Sequence, residues 1–179
     1  HPLIYVLEDM ERTGFKVDKR ILQELDVEFS KELKTLTHKI YDMAGEEFNI
    51  NSPKQLSNIL FEKLNLPVVK KTKTGYSTDS EVLERLKGQH EIIENIIEYR
   101  QIMKLKSTYI DGLLNMVNAG DGRIHSSFNQ AVTATGRISS TEPNLQNIPV
   151  RMEMGRRIRR VFVASDEEHV LVDADYSQI

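Results

Sequence analysis

The chain has 179 residues, 39% of them hydrophobic and 28% charged, with a formal net charge of -3. That balance fits a soluble globular protein of one or two domains with a workable core, rather than a disordered chain. No apolar run approaches the ~20 residues of a membrane helix, no secretory leader is expected, and the absence of cysteine excludes disulfides, thiolate metal sites and a cysteine nucleophile.

In chain order, Leu3, Val6, Leu7 and Met10 recur at helical spacing, and Thr13-Gly14 breaks the pattern. Phe15-Lys16-Val17 reads as a short extended link. Asp18 is the expected N-cap of a helix of ~26 residues, ~39 Å long, with the stripe Leu22, Leu25, Phe29, Leu33, Leu36, Ile40, Met43 and a closing Gly45. Ser52-Pro53 starts a short helix that runs to about Asn65. Lys70 to Ser77 is a basic, turn-rich loop. Thr78-Asp79-Ser80-Glu81 then reads as a capping box opening a helix that stops at Gly88. A second long helix is expected from about His90 to Val117, buried through Ile93, Ile96, Ile97, Tyr99, Met103, Tyr109, Leu113 and Val117.

After Gly120 the period changes. Asp121-Gly122 is a turn signal and Arg123 to Phe128 can follow it as a strand. Residues 133–155, rich in Thr, Ser, Asn and Pro, are expected to be an irregular loop. Arg160 to Ala164 and His169 to Val172, flanking Ser165-Asp166-Glu167-Glu168, predict an antiparallel hairpin. On its last strand Leu171, Asp173 and Asp175 share one face, and Val170, Val172 and Ala174 share the other.

The net charge conceals segregation: residues 1–122 carry -3, residues 123–160 carry +5 and residues 161–179 carry -5. A basic block beside an acidic one suits a protein that holds phosphate backbone next to a hard cation, or two blocks that neutralise each other. Arginines 151, 156, 157, 159 and 160 have the same two readings. An aspartate at a strand end suits Mg²⁺, which takes a few carboxylates and completes its shell with water and phosphates. An acidic strand end facing water is the alternative. The caps at Ser52 and Thr78 offer amides to phosphate and flank Lys70, Lys71 and Lys73, although every helix has a cap.

The strings Thr135-Gly136-Arg137, Pro143-Asn144-Leu145-Gln146-Asn147-Ile148-Pro149, Arg156-Arg157-Ile158-Arg159 and Asp175-Tyr176-Ser177-Gln178-Ile179 resemble family A DNA polymerases, the bacterial DNA polymerase I type. Lys104 to Ile110, Phe128-Asn129-Gln130 and His1-Pro2-Leu3 extend the likeness over essentially the whole chain. The resemblance implies an α+β polymerase-fold fragment: a projecting antiparallel helical thumb (21–117) inserted in a partial antiparallel-sheet palm (1–20 and 118–179). It implies Asp175 as a catalytic, metal-binding carboxylate, with the backbone carbonyl of Tyr176 as a second metal ligand and Mg²⁺ as cofactor of the complete enzyme. By the same resemblance, Asn51, Ser52, Lys54, Lys71, Lys73, Ser77 and Thr78 at the thumb tip, with Lys106, Ser107 and Thr108, grip duplex backbone. Arg137 lies along the minor groove near the primer end. Asn144, Gln146, Asn147 and Arg151 sit against primer and template, and Asn129 and Gln130 belong to the same DNA-facing set.

The implied partners are primer-template DNA, and in the complete enzyme a deoxynucleoside triphosphate and the fingers and C-terminal palm, with no membrane and a bacterial cytoplasmic setting. Starting at His and stopping inside the motif at Ile179, the chain reads as an internal segment with one of two required aspartates. The segment alone is therefore expected not to polymerise DNA and at most to bind duplex. Two other classes remain: a non-catalytic DNA-binding module, and a metal-dependent phosphohydrolase using Asp173 with Asp175.

Overall fold

A computed structural model describes residues 2–73, 75–150 and 153–177. The chain divides into two compact units, residues 27–104 and residues 1–26 with 105–179. Both divisions fall inside helices.

The helical unit begins within α2 (Lys19–Ala44), which Asp18 caps by accepting hydrogen bonds from the amides of Arg20 and Ile21 at 2.9 and 3.2 Å. Its apolar stripe is buried as its period requires, with Phe29 and Ile40 fully enclosed. Only the end of the stripe differs, since Ala44 is buried and Met43 is half-buried. Gly45 ends the helix at φ +71°, donating its amide to Tyr41. Next comes α3 (Pro53–Ser57), capped by the Ser52 hydroxyl, and it runs into a π-helical turn, Asn58–Lys63. Within the segment expected to be loop, β2 (Lys71–Thr72) pairs with β3 (Gly75–Tyr76) as a small hairpin. The Tyr76 and Phe61 rings meet in a T-shaped arrangement with centroids 5.5 Å apart, which gives this polar hairpin an apolar anchor. Two more helices, α4 (Ser80–Leu86) and α5 (Glu91–Leu105), complete the unit; its core includes Leu56, Leu60, Leu83, Leu86, Ile92, Ile93, Ile96 and Ile102.

The second unit opens with α1 (Pro2–Thr13), of which only Leu7 is buried among the described residues. Next, β1 (Phe15–Lys16) pairs antiparallel with β4 (Arg123–Ile124) across more than a hundred residues of sequence. The second long helix extends as predicted but changes pitch: after α5 a π-helical turn, Lys106–Asp111, leads into α6 (Gly112–Met116). The expected strand from Arg123 to Phe128 divides in two. β4 joins β1, whereas β5 (Ser127–Asn129) pairs with β6 (Ser139–Thr141). The loop expected over 133–155 is also partly structured, containing β6, a 3₁₀ turn at Leu145–Asn147 and α7 (Glu153–Arg159).

The hairpin expected over 160–172 does not form. Val17 bridges Phe162 instead, the Val163 amide bonds the Lys16 carbonyl, and the Phe15 and Phe162 rings meet edge to face at 5.3 Å. That pairing uses the residues that would have made the hairpin's first strand. Residues 165–169 close a tight turn on Asp166, whose carboxylate accepts from the Glu168 amide. Val170 and Val172 are 79% and 83% exposed, and residues 170–176 have no regular structure. A strand forms only by pairing, and among the described residues none offers its edge here.

Candidate nucleic-acid interface

The candidate residues of the helical unit cluster around its caps and its hairpin. Ser52 is half-buried, with its hydroxyl accepting from the Gln55 amide at 3.4 Å. Asn51 is exposed and donates its side-chain amide to the Tyr99 hydroxyl at 3.3 Å. Lys54, Lys71 and Lys73 are exposed. Ser77 and Thr78 are buried, at 8% and 5% exposure, and their side chains face inward bonds. The Ser77 hydroxyl donates to Asp79 at 2.8 Å, and Arg100 donates to the Thr78 carbonyl and hydroxyl.

The cap of α4 is therefore Asp79, one residue beyond the expected Thr78, accepting from the Val82 amide at 2.9 Å. That backbone bond, with the Lys70 ammonium at 3.0 Å and the Ser77 hydroxyl, holds the Asp79 carboxyl down at about 2. Burial pulls the Arg100 guanidinium down, with Asp79 opposing. At Ser77 and Thr78 the two hydroxyls thus face inward partners, and the groups exposed nearby are the hairpin lysines Lys71 and Lys73.

In the other unit, Lys106 is committed to carboxylates. Its ammonium lies 2.8 Å from both Asp26 and Asp111, and its side chain is only 18% exposed. Burial opposes its charge, but pairing with Asp111 and Asp26 outweighs that and raises its pKa. The Asp26 oxygen meets it as an ion pair whose angle falls outside hydrogen-bond geometry. Ser107 and Thr108 beside it are exposed.

The Asn129 to Asn147 region is built by short-range bonds that replace regular structure. Asn129 donates to the Thr141 hydroxyl at 3.1 Å across the β5–β6 pair. Gly136, at φ +76°, lets the 133–137 turn close, with the Thr133 hydroxyl donating to the Arg137 carbonyl and the Arg137 side chain left exposed. Ser126 and Ser140 both donate to the Pro143 carbonyl, at 3.0 and 3.1 Å, after the cis Glu142-Pro143 bond. Asn144 caps the 3₁₀ turn through the Gln146 amide at 3.0 Å. The Gln146 side chain acts as a surrogate strand, donating to the Ile138 carbonyl at 2.8 Å and accepting from the Ser140 amide at 3.4 Å. The Tyr109 hydroxyl donates to the Asn147 carbonyl. Sequence reasoning read Tyr109 only as core. Nothing local in the sequence signals a bond to a residue 38 positions away.

Gln130 and Asn147 are exposed, as are Asp175 and Tyr176. Arg151 lies outside the described residues, together with Gln178 and Ile179. Asp173 lines a cavity of about 450 Å³ with Leu171, Val172, Leu145, Ile148 and Phe162, whereas Asp175 does not. Among the described residues no group of three His, Asp or Glu side chains is placed to hold a metal. No helix among them is long and apolar enough to cross a membrane.

These polar loops and caps take their meaning from the comparisons. The DNA polymerase family A model matches residues 19–179, and the chain belongs to that family. It is 56% identical over 178 residues to DNA polymerase I of Geobacillus stearothermophilus, covering 99% of this chain and 20% of that one. It is 58% identical to DNA polymerase I of Caldicellulosiruptor bescii, over 99% and 21% respectively. Among solved structures it resembles the POL domain of Pol1 from M. smegmatis in complex with DNA primer-template and dNTP. That match has a TM-score of 0.81 and 49% identity, and covers 88% of this chain and 28% of that one. The chain thus spans about a fifth of the length of the curated relatives it matches. Family A DNA polymerases are generally metal-dependent.

Proposed function

We propose that this chain is the thumb and the N-terminal part of the palm of a DNA polymerase I-type enzyme, which adds deoxynucleotides from dNTPs to a primer 3′-hydroxyl in the bacterial cytoplasm. The observation that carries the reading is the 0.81 TM-score over 88% of the chain to a polymerase domain that holds primer-template and dNTP. In this reading residues 1–20 and 118–179 are palm and 21–117 are thumb, so the compact unit 27–104 lies within the thumb. The chain's own task is to hold the duplex. Lys54, Lys71 and Lys73 meet phosphates as point charges, helped by Asn51 and Ser52, while Ser77 and Thr78 hold the segment between the hairpin and α4 in place through Asp79 and Arg100. Ser107 and Thr108 extend the grip, and Lys106 keeps it in shape through its two carboxylates. Asn129, Gln130, Arg137, Asn144, Gln146, Asn147 and Arg151 lie against primer and template; contacts of this kind position the duplex without reading its sequence.

Asp175 and the Tyr176 carbonyl are assigned to Mg²⁺. That ion needs near-octahedral oxygen ligation, and the described residues supply at most these two ligands. They do not make a metal site by themselves, so no catalytic step is derived from it. The expected outcome is that this chain retains a labelled primer-template at low salt, does not extend it alone, and extends it when mixed with a separately made C-terminal polymerase half. Asp175→Ala should abolish that extension and leave duplex retention intact. Robust extension by the chain alone, or no duplex retention at low salt, would overturn the reading.

A further inference from the structure

His125 sits between two groups that can only accept. Its Nδ1 is 2.7 Å from the Glu11 backbone carbonyl and its Nε2 is 2.9 Å from Asp121 Oδ2. A carbonyl has no proton to give, and neither has an ionised carboxylate, so both ring nitrogens must donate. Asp121 is ionised here: its other oxygen accepts from the Arg123 amide at 2.9 Å, and that bond, with His125, holds the carboxyl below its ordinary range. An imidazole that donates twice is an imidazolium.

The ring has a prepared seat. A Cβ on Gly14, which sits at φ +63°, would come within 2.7 Å of His125 Cε1 and Nδ1, so the glycine at the end of α1 clears the space the ring occupies. Glu11 then serves twice: its carbonyl accepts a hydrogen bond from the ring Nδ1, and its carboxylate accepts from the Phe128 amide at 2.6 Å. His125 and Phe128, on either side of buried Ser126, are thereby tied to one residue of α1.

We propose that His125 is a positioning residue, a doubly protonated clamp that fixes β5 on α1 and so sets where Asn129 and Gln130 stand. The clamp rests on its own geometry. Its relevance to DNA rests on the duplex-binding function proposed for this chain. The Glu11 carbonyl and Asp121 both raise the pKa of the imidazolium, against burial and the nearby Arg123. Around the ring, α1 presents Glu11, the turn presents Asp121, β4 presents Arg123, and β1 brings the Lys16 ammonium to the Gly122 side of that turn. Because its folded-state pKa is raised, the clamp is fully present below the free imidazole value of about 6.5 and is lost as pH rises through the folded one.

The test is an NMR titration of the 179-residue chain that follows His125 together with the backbone amides of Phe128 and Asn129. The expected midpoint lies above about 6.5, with both amides moving at that same midpoint. Asp121→Asn, whose side-chain oxygen can still accept from the Arg123 amide but carries no charge, should bring the midpoint back toward the free value, and His125→Gln should abolish the amide response. Affinity for a fluorescein-labelled primer-template duplex should weaken with pH at that midpoint in the native chain and not in His125→Gln. A midpoint at or below the free value, or amides that ignore it, would overturn the clamp. A clamp that titrates as expected in a chain that binds no duplex at any pH would instead overturn the duplex-binding function.

Discussion

The helical unit and the last stretch of the chain treat their apolar residues in opposite ways. In 27–104 most of the stripe of α2 and Ile92, Ile93, Ile96 and Ile102 of α5 are enclosed, and the caps at Ser52 and Asp79 are closed by an amide three residues away. In 160–177, Val170, Leu171 and Val172 are exposed although they are as apolar and as regularly spaced. A helix satisfies its own backbone and needs a partner only for one face, whereas a strand needs a partner for its backbone as well. Local self-sufficiency separates the two regions; hydrophobicity does not.

The largest consequence is in stability. Phe29→Ala empties a fully buried site in α2 and should cost about 3–5 kcal/mol, read as a lower denaturation midpoint. Val172→Ala, at an 83% exposed position, should stay within about 0.5 kcal/mol. Equal effects would mean that the tail is packed after all and would erase the contrast.

A sharper test comes from the region where tertiary contact reverses a local preference. Gly155 lies inside α7, where helix propensity favours alanine by about 1 kcal/mol. A Cβ there would stand 2.5 Å from the Pro149 carbonyl oxygen and 2.6 Å from the Pro149 Cβ, atoms that no side-chain rotation moves aside. Gly155→Ala should therefore destabilise by about 1–3 kcal/mol, the cost of overpacking, as measured by chemical denaturation. A gain in stability would show that propensity wins and that α7 does not press on Pro149.

The same division explains what the sequence reveals. The cap at Asp18, the stripe from Leu22 to Ile40, the Ser52 cap and the end at Gly45 are relations within a few residues, and each is visible in the string. The pairing of Phe15 with Ile124, and of Val17 with Phe162, depends on which distant edge is available, so the strands that form after Gly122 differ from those its local pattern predicts. Candidate site residues divide likewise. Chemical type and motif order mark Lys71, Lys73, Arg137 and Asp175, and all four are exposed. The inward commitments of Ser77, Thr78 and Lys106 depend on Arg100, Asp79, Asp26 and Asp111 and have no signature in motif spacing. Gly14 is legible as a helix breaker, but its role as the seat of the His125 ring follows only from a contact made 111 residues along the chain.

The smallest expected effect is electrostatic and belongs to the local class. Asp79→Asn keeps a good N-cap, since asparagine caps nearly as well as aspartate, but removes the charge that pairs with Lys70. The Asp79 carboxyl is held at about 2 in the folded chain, against about 3.9 for the unfolded residue. A depressed folded pKa gives stability that is present above the unfolded value and is lost as pH falls through the folded one. The native chain should therefore melt slightly above Asp79→Asn near neutrality, and the gap should close between about pH 4 and pH 2. Because Asp79 and Lys70 are both exposed, added salt should narrow the gap at neutral pH as well. A gap that persists at pH 2 would mean that the carboxylate acts through cap geometry alone, and the network joining the β2–β3 hairpin to α4 would then be hydrogen bonding without charge.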